Sequence, residues 1–410
     1  MILNVVFDKW DENNKPIKNL EYLFREAVES GRSIDELDME TDWKLNECKL
    51  TDITSDENYY YIISHIYTYL HFLKNGKLIL PIEVEDCITH NNLKVIFMAP
   101  HESPEHLDIF VKMLTDTINK NNWKESNFYI INNNAMIYNV KNKLNSNINF
   151  FKINALLKLV SNIKIKTTES DILYNKKFIF LCLNNRSHNH RVLLLTHLKH
   201  LNLLKDDIID WSLVEKYNTN VVQSIKHLKG YIEPTNKILV NDYKIITSTK
   251  KISYYEQNVN WFDSYGNINP YKHLTLDSYK NSYINIVTES HYNFIENDVH
   301  ITEKSFIPFY YFQLPIFLSR PNHIKMMKEE YDFYFFDDLI DHSYDNEIDD
   351  VKRFHMVVDE IKRLSSMKEK ISTYYKNNID KLIHNHNFIK TYSEKKVEEN
   401  YFLNLINENK

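Results

Sequence analysis

The run Tyr283-Ile284-Asn285-Ile286-Val287-Thr288-Glu289-Ser290, followed after a polar loop by His300-Ile301-Thr302-Glu303-Lys304-Ser305, decides how this chain is read. Its first half is apolar and β-branched, the composition of a buried strand, and it ends on a carboxylate. Residues 305–313 have helical spacing and stop before Pro315, after which residues 316–318 (IFL) read as a short strand. Such a strand–loop–helix–strand unit gathers Glu289, Glu303 and Lys304 at the carboxyl end of a sheet, the edge where open α/β sheets bind ligands. A lysine beside the N–H groups of a helix N-terminus suits a phosphate, and paired carboxylates suit sugar or ribose hydroxyls. The residues therefore point to a nucleotide-sugar pocket.

Strand and helix patterns alternate on either side. Residues 177–183 (KFIFLCL) read as an apolar strand, and a polar loop with Arg186 and Arg191 leads into a helix over 192–200. Guanidinium binds phosphate bidentately, so two arginines around a βα turn replace a glycine-rich phosphate loop. Upstream, 94–98 (KVIFM), 128–131 and 148–151 read as strands, with helices over 105–119 and 135–144. This alternation implies parallel sheets with right-handed crossovers. Between the first of these strands and its helix stands Pro100-His101-Glu102-Ser103-Pro104-Glu105-His106. A catalytic acid or base is expected at that position, and Ser103-Pro104 is equally a good start for a helix.

The remaining segments are read more simply. Residues 19–30 and 56–75 have helical spacing, the latter with a core stripe of Tyr60, Ile63, Tyr67 and Leu70. Residues 207–213 and 238–247 read as strands or irregular elements, 322–330 as a helix, 333–336 as a strand, and 349–384 as helical before a last charged helix. The aromatic stretch 250–275, with Tyr254, Tyr255, Trp261, Phe262 and Tyr265, reads as packing or as a sugar or base platform. Asp337, Asp338, Asp341 and Asp345 fit helix capping better than a metal site, and no metal is expected. His384 and His386 read as surface residues.

Composition narrows the function classes. The chain has 410 residues, of which 43% are hydrophobic, ample for packed cores. It has only four glycines (Gly31, Gly76, Gly230, Gly266), against an average usage of about 7%. A G-x-G-x-x-G loop or a Walker loop is absent, so any phosphate must be held by side chains and helix ends. A net charge of −6 gives no general attraction to nucleic acid or anionic membranes. Three scattered cysteines (Cys48, Cys87, Cys182) have neither metal-ligand nor disulfide spacing, which favours a reducing cytoplasm. No signal peptide or transmembrane run is expected.

Three motifs carry a family resemblance. Glu289-Ser290, then His300-Ile301-Thr302-Glu303-Lys304, then Leu314-Pro315-Ile316-Phe317 resemble the nucleotide domain of α-1,3-fucosyltransferases. In that family a strand ending in Phe-Glu-Asn leads to Tyr-x-Thr-Glu-Lys, a helix and a small apolar strand. Arg191, preceded by Asn184-Asn185-Arg186, matches the arginine at the start of the domain's first helix, and Glu102-Ser103-Pro104 matches a segment holding the proposed general base. The chain is similar to GT-B glycosyltransferases with this C-terminal domain, including related enzymes of bacteriophages and large viruses. His300 stands where the family has tyrosine and Ser290 where it has asparagine, so no particular base or sugar is implied.

The resemblance implies an α/β fold of two Rossmann-like domains facing each other across a cleft, with C-terminal helices. Their expected bounds are 1–165 for the acceptor-side domain, 166–385 for the nucleotide-sugar domain and 386–410 for a terminal helix. It implies transfer from a nucleotide sugar to a glycan or other hydroxyl acceptor, inverting and metal-independent, with no cofactor beyond the donor. Arg186, Arg191, Glu289, His300, Thr302, Glu303 and Lys304 would bind the donor, and Glu102 would be the base. Two alternatives stand beside it: transfer to hydroxymethylated bases in DNA, which the charge does not favour, and a nucleotide-sugar-binding module without turnover.

Overall fold

The computed structural model describes residues 2–7, 44–54, 57–64, 73–74, 77–78, 80, 82–91, 93–99, 107–132, 137–152, 160, 172, 175–184, 186–214, 230–233, 235–251, 276–296 and 298–395. The chain divides into two compact units. The first comprises Met1–Asn162, Ile295–Ile301 and Thr391–Lys410, and the second Ile163–Phe294 and Thr302–Lys390.

The first unit contains β1 (Ile2–Phe7), β2 (Lys44–Glu47), β3 (Tyr59–Ser64), a hairpin of β4 (Leu73–Lys74) and β5 (Lys77–Leu78), then β6 (Lys94–Ala99), β7 (Phe128–Asn132) and β8 (Asn149–Lys152). Six of these form one sheet in the order β2-β1-β3-β6-β7-β8, parallel throughout. Tyr61, Ile63, Val95, Phe97, Phe128 and Ile130 pack with Phe110, Val111, Leu114 and Ile118 of the Leu107–Lys120 helix in one core. Residues 56–75, expected to be helical, instead supply β3. Tyr-Tyr-Tyr-Ile-Ile-Ser is buried at 59–63 and paired on both edges, so the aromatic and β-branched run follows a strand's period. Residues 65–72 and the helix expected over 19–30 lie outside the described residues.

The second unit is built on β9 (Phe178–Cys182), β10 (Ile209–Trp211), β11 (Ser282–Thr288) and β12 (Leu314–Leu318), parallel in the order β10-β9-β11-β12. β9, β11 and β12 are buried along their whole length, as strands covered on both faces must be. From β9 the chain moves to β10 on one side and returns to β11 on the other. The order therefore reverses between β9 and β11, a topological switch point whose carboxyl edge is the expected ligand crevice.

Several local readings are corrected. Residues 238–247 belong to a helix, Lys237–Ser248, because Leu239, Tyr243, Ile246 and Thr247 recur at helical spacing on the buried side and Asn236 caps Leu239 N–H at 3.1 Å. The expected strand at 333–336 pairs with no strand. Phe333 stacks on Phe309 (4.3 Å, 5°) instead, and Asn385 takes both polar backbone groups of Tyr334, accepting its N–H and donating to its carbonyl. His386 is buried, not on the surface: its Nδ1 reaches the Tyr310 carbonyl and its ring stacks on Phe312. The terminal helix runs Ile379–Lys395, straight across the break expected at residue 386. Among the described residues, no helix is long and apolar enough to cross a membrane.

Gln313 fixes the pairing of β11 with β12. Its Oε1 accepts from Asn285 Nδ2 at 2.8 Å, and its Nε2 donates to the carbonyls of Tyr279 and Ser282, all buried. Gln313→Leu keeps the volume but removes the acceptor of the Asn285 amide and the donor to the two carbonyls. It should destabilise the protein by about 2–4 kcal/mol in urea unfolding. A loss below about 0.5 kcal/mol would contradict this role for the amide pair.

Candidate functional site

Glu289 directly follows β11 and is 1% exposed. A buried carboxylate is costly unless its lone pairs are filled. Here Oε1 accepts from Thr302 N–H (3.3 Å) and the Ser305 hydroxyl, and Oε2 from Ser290 N–H (3.1 Å) and Thr302 Oγ1 (2.7 Å). Four donors fill the four acceptor positions. Burial pushes this carboxyl up, but the Lys304 cation, His323 and the Ser305 and Thr302 hydroxyls outweigh it and hold it down at about 2. Glu289 is thus an anionic anchor for the following turn, with its oxygens committed to the protein itself.

That turn presents Lys304. Thr302 is the N-cap of the Glu303–Tyr310 helix, and its Oγ1 accepts from Lys304 N–H at 3.3 Å. The Lys304 ammonium donates to Ser290 Oγ (3.2 Å), Thr302 Oγ1 (3.2 Å) and Glu303 Oε1 (3.1 Å). Its side chain is 33% exposed and that of Glu303 23%. A partly exposed ion pair of this kind contributes only about 0–1 kcal/mol, so Glu303 can leave the ammonium at little cost.

The loop after β9 supplies the second group of cations. Arg191, 4% exposed, donates through Nη2 to the carbonyls of Thr288 (3.1 Å) and Glu289 (3.3 Å) and through Nη1 to that of Arg186 (3.3 Å). It ties the βα turn to the end of β11, so what it offers a ligand is its charge. Burial lowers its pKa to about 10, partly offset by Glu289. Arg186 is exposed. His188, also exposed, packs its ring against His190, and that withdrawal from water, reinforced by Arg191, Arg186, His291 and Lys304, pushes its imidazole down to about 4. Arg191, bonded to the Arg186 carbonyl on one loop and to the Thr288 and Glu289 carbonyls on the other, joins the two loops at the switch point.

The other expected residues are placed differently. Glu102 lies outside the described residues. His300 is buried in Ile295–Ile301, a segment of the first unit. The sequence alone assigned no site role to Ser305, His188 or His323, and marked Ser290 only as a departure from the family's asparagine. Ser305 Oγ donates to Glu289 and therefore accepts from His323 Nε2 (2.8 Å), which fixes the Nε2–H tautomer of that buried ring. A serine on the apolar Glu303–Tyr310 helix was the available signal for this contact. The aspartates of 337–345 serve as caps where they contact backbone: Asp345 accepts from Ile324 and Lys325 N–H, and Asp341 from Ser343 N–H. Among the described residues, no group of three His, Cys, Asp or Glu side chains could hold a metal ion.

No family model and no curated protein matches the sequence. Solved structures similar to this chain include a DNA-modifying β-glucosyltransferase studied with and without its substrate uridine diphosphoglucose, with TM-score 0.39, 8% identity and 98% of each chain covered. Another is T4 phage BGT in complex with its UDP-glucose substrate, with TM-score 0.34, 11% identity and 98% of each chain covered. A third is α,α-trehalose 6-phosphate synthase from Burkholderia multivorans, with TM-score 0.37 and 9% identity over 88% of this chain and 73% of that one.

Glu289 makes stability depend on pH with a definite sign. Its folded value is depressed from the ordinary 4.5 to about 2, so its contribution is complete above pH 4.5 and is lost as pH falls toward 2. The contribution is on the order of 3 kcal/mol. Denaturant unfolding across this range should show Glu289→Gln destabilised at pH 7 and with a smaller decline on acidification than the wild type. Parallel declines in the two proteins would show that the carboxylate is not held this way.

Proposed function

We propose that the protein is a glycosyltransferase of GT-B type, moving a sugar from a nucleoside-diphosphate sugar to a hydroxyl of a glycan or similar acceptor, by inversion and without a metal. The observation that carries this reading is that Arg191 bonds both to the Arg186 carbonyl and to the Thr288 and Glu289 carbonyls while Lys304 donates to Ser290 Oγ, so cations of both loops meet at the carboxyl edge between β9 and β11. A diphosphate needs fixed cations where negative charge grows as the bond to the sugar breaks, and a preorganised site supplies them without reorganisation.

Lys304 and Arg186 take the diphosphate oxygens, while the buried charge of Arg191 adds to the local field. Phosphate binding at Lys304 releases Glu303 to accept from a ribose hydroxyl. The acceptor oxygen attacks the anomeric carbon as the carbon–oxygen bond to the diphosphate breaks, and a carboxylate removes the acceptor's proton. The fucosyltransferase-like motif assigns that proton to Glu102. Anchored by four internal donors, Glu289 positions Lys304 rather than touching the donor.

Titration calorimetry with UDP, GDP and ADP should find a ligand whose affinity falls about 10- to 100-fold in Lys304→Ala, the size of a lost charge-assisted hydrogen bond. No binding of any nucleoside diphosphate, or unchanged binding by the variant, removes the reading. With the donor known, Glu102→Gln should lower kcat by about 10²–10⁴ while leaving donor affinity intact. Oligosaccharides and hydroxymethylated DNA as acceptors separate the two acceptor classes.

A further inference from the structure

Four side chains form a column that runs out of the core of the second unit and ends at the loop after β9. Arg353 sets its guanidinium over the Tyr292 ring, 4.6 Å from Cζ to the centroid. Tyr292 stacks on His190 (5.5 Å, 22°), and His190 on His188 (5.9 Å, 12°), within the range of offset aromatic pairs. The three inner layers are buried and individually fixed. Arg353 donates to the carbonyls of Ser319, Glu347 and Tyr292 and to the Asp350 carboxylate. The Tyr292 hydroxyl donates to the Asp350 carbonyl, and His190 Nε2 to that of Glu289.

Of the four, only His188 is exposed. One of its faces lies on His190, so the exposure falls on the other face and the ring edges. His188 occupies the N-cap of the Asn189–His200 helix without making a side-chain capping bond, at a position where Ser, Thr, Asn or Asp would stabilise the helix. Local structure gives no reason for an imidazole there. The charges of Arg191, Arg186 and Lys304 act on the ring, and with its pKa near 4 it is neutral at pH 7 and presents an uncharged π face. A flat surface on a rigid support, with Arg186 on the same loop and Arg191 and Lys304 tied to the adjoining end of β11, fits a ligand with a planar ring and a negative charge in one molecule.

We propose that the outer face of His188 is the platform on which the donor's nucleobase stacks, as the fifth layer of the Arg353–Tyr292–His190–His188 column, with the diphosphate extending toward Lys304 and Arg186. This rests on the nucleoside-diphosphate reading above and adds the base subsite to it. The platform is already ordered, so binding needs no further side-chain freezing at that point. Stacking recognises any base through its π face, so affinity follows ring area more than the identity of the base's edges.

The test is calorimetry of wild type, His188→Ala and His188→Phe with ADP, GDP, UDP and inorganic pyrophosphate, beside Lys304→Ala. In His188→Ala, affinity for the tightest nucleoside diphosphate should fall about tenfold or more, the cost of a lost base stack, while pyrophosphate binding stays within about twofold. His188→Phe should restore nucleotide affinity to within about threefold, and thermal unfolding should show both variants folded, since the residue is exposed. Equal losses for nucleotide and pyrophosphate in His188→Ala, or no loss for either, would overturn the platform. If Lys304→Ala still weakens nucleotide binding in that case, the phosphate site stands without it. Wild type binding neither nucleotide nor pyrophosphate would overturn both.

Discussion

The Glu289 carboxylate, withdrawn from water and answered by two backbone N–H groups, two hydroxyls and the Lys304 charge, holds the second unit's functional edge together. An unpaired charge in that position would cost several kcal/mol, so the turn from Thr302 to Ser305 cannot move without exposing that cost. The arrangement extends past the turn. Ser305 passes the contact to His323, at the start of the His323–Glu330 helix, and Asp345 caps that helix from the other side. Strand end, helix start, next helix start and loop are thereby joined by polar contacts that each fill a defined lone pair or proton.

The scarcity of glycine has a structural answer. A glycine-rich turn lets backbone N–H groups approach a phosphate closely. Here the corresponding turn after β9 is shaped by Arg191, whose guanidinium is bonded to three main-chain carbonyls, and by Asn184, whose Oδ1 accepts from Thr288 Oγ1 and whose N–H donates to Ser212 Oγ. Side chains stiffen the loop where a small-residue loop would rely on close packing. The cations that remain nearer the surface, Lys304 and Arg186, are then presented from a rigid edge, the arrangement that the proposed transfer from a nucleoside diphosphate would need.

Legibility in the sequence followed the physics of each segment. β9, β11 and β12 were readable because strands buried on both faces are continuous apolar runs, and the β11–helix–β12 unit emerged as expected. Residues 59–64 were misread because an aromatic, β-branched run satisfies helical spacing by chance when followed by Tyr67 and Leu70, and only pairing on both edges decides the matter. Residues 238–247 failed the opposite way, β-branched in composition but helical in packing. In the site, the charges were visible but their duties were not. Glu289 and Arg191 read as ligand contacts, yet both are committed to internal bonds with partners up to about a hundred positions away in the chain. His188 gave no local sign at all, since the role proposed for it depends on a column completed by Tyr292 and Arg353.

The proposed function requires the two loops at the carboxyl edge between β9 and β11 to grip a nucleoside diphosphate together. Amide hydrogen exchange with and without a saturating nucleoside diphosphate tests it most directly, because binding slows exchange where the ligand orders or covers the chain. Protection confined to residues 186–191 on one side and to 289–294 with 302–305 on the other is the expected result. Protection absent from both segments, or centred instead on the acidic loop at 337–346, would contradict it.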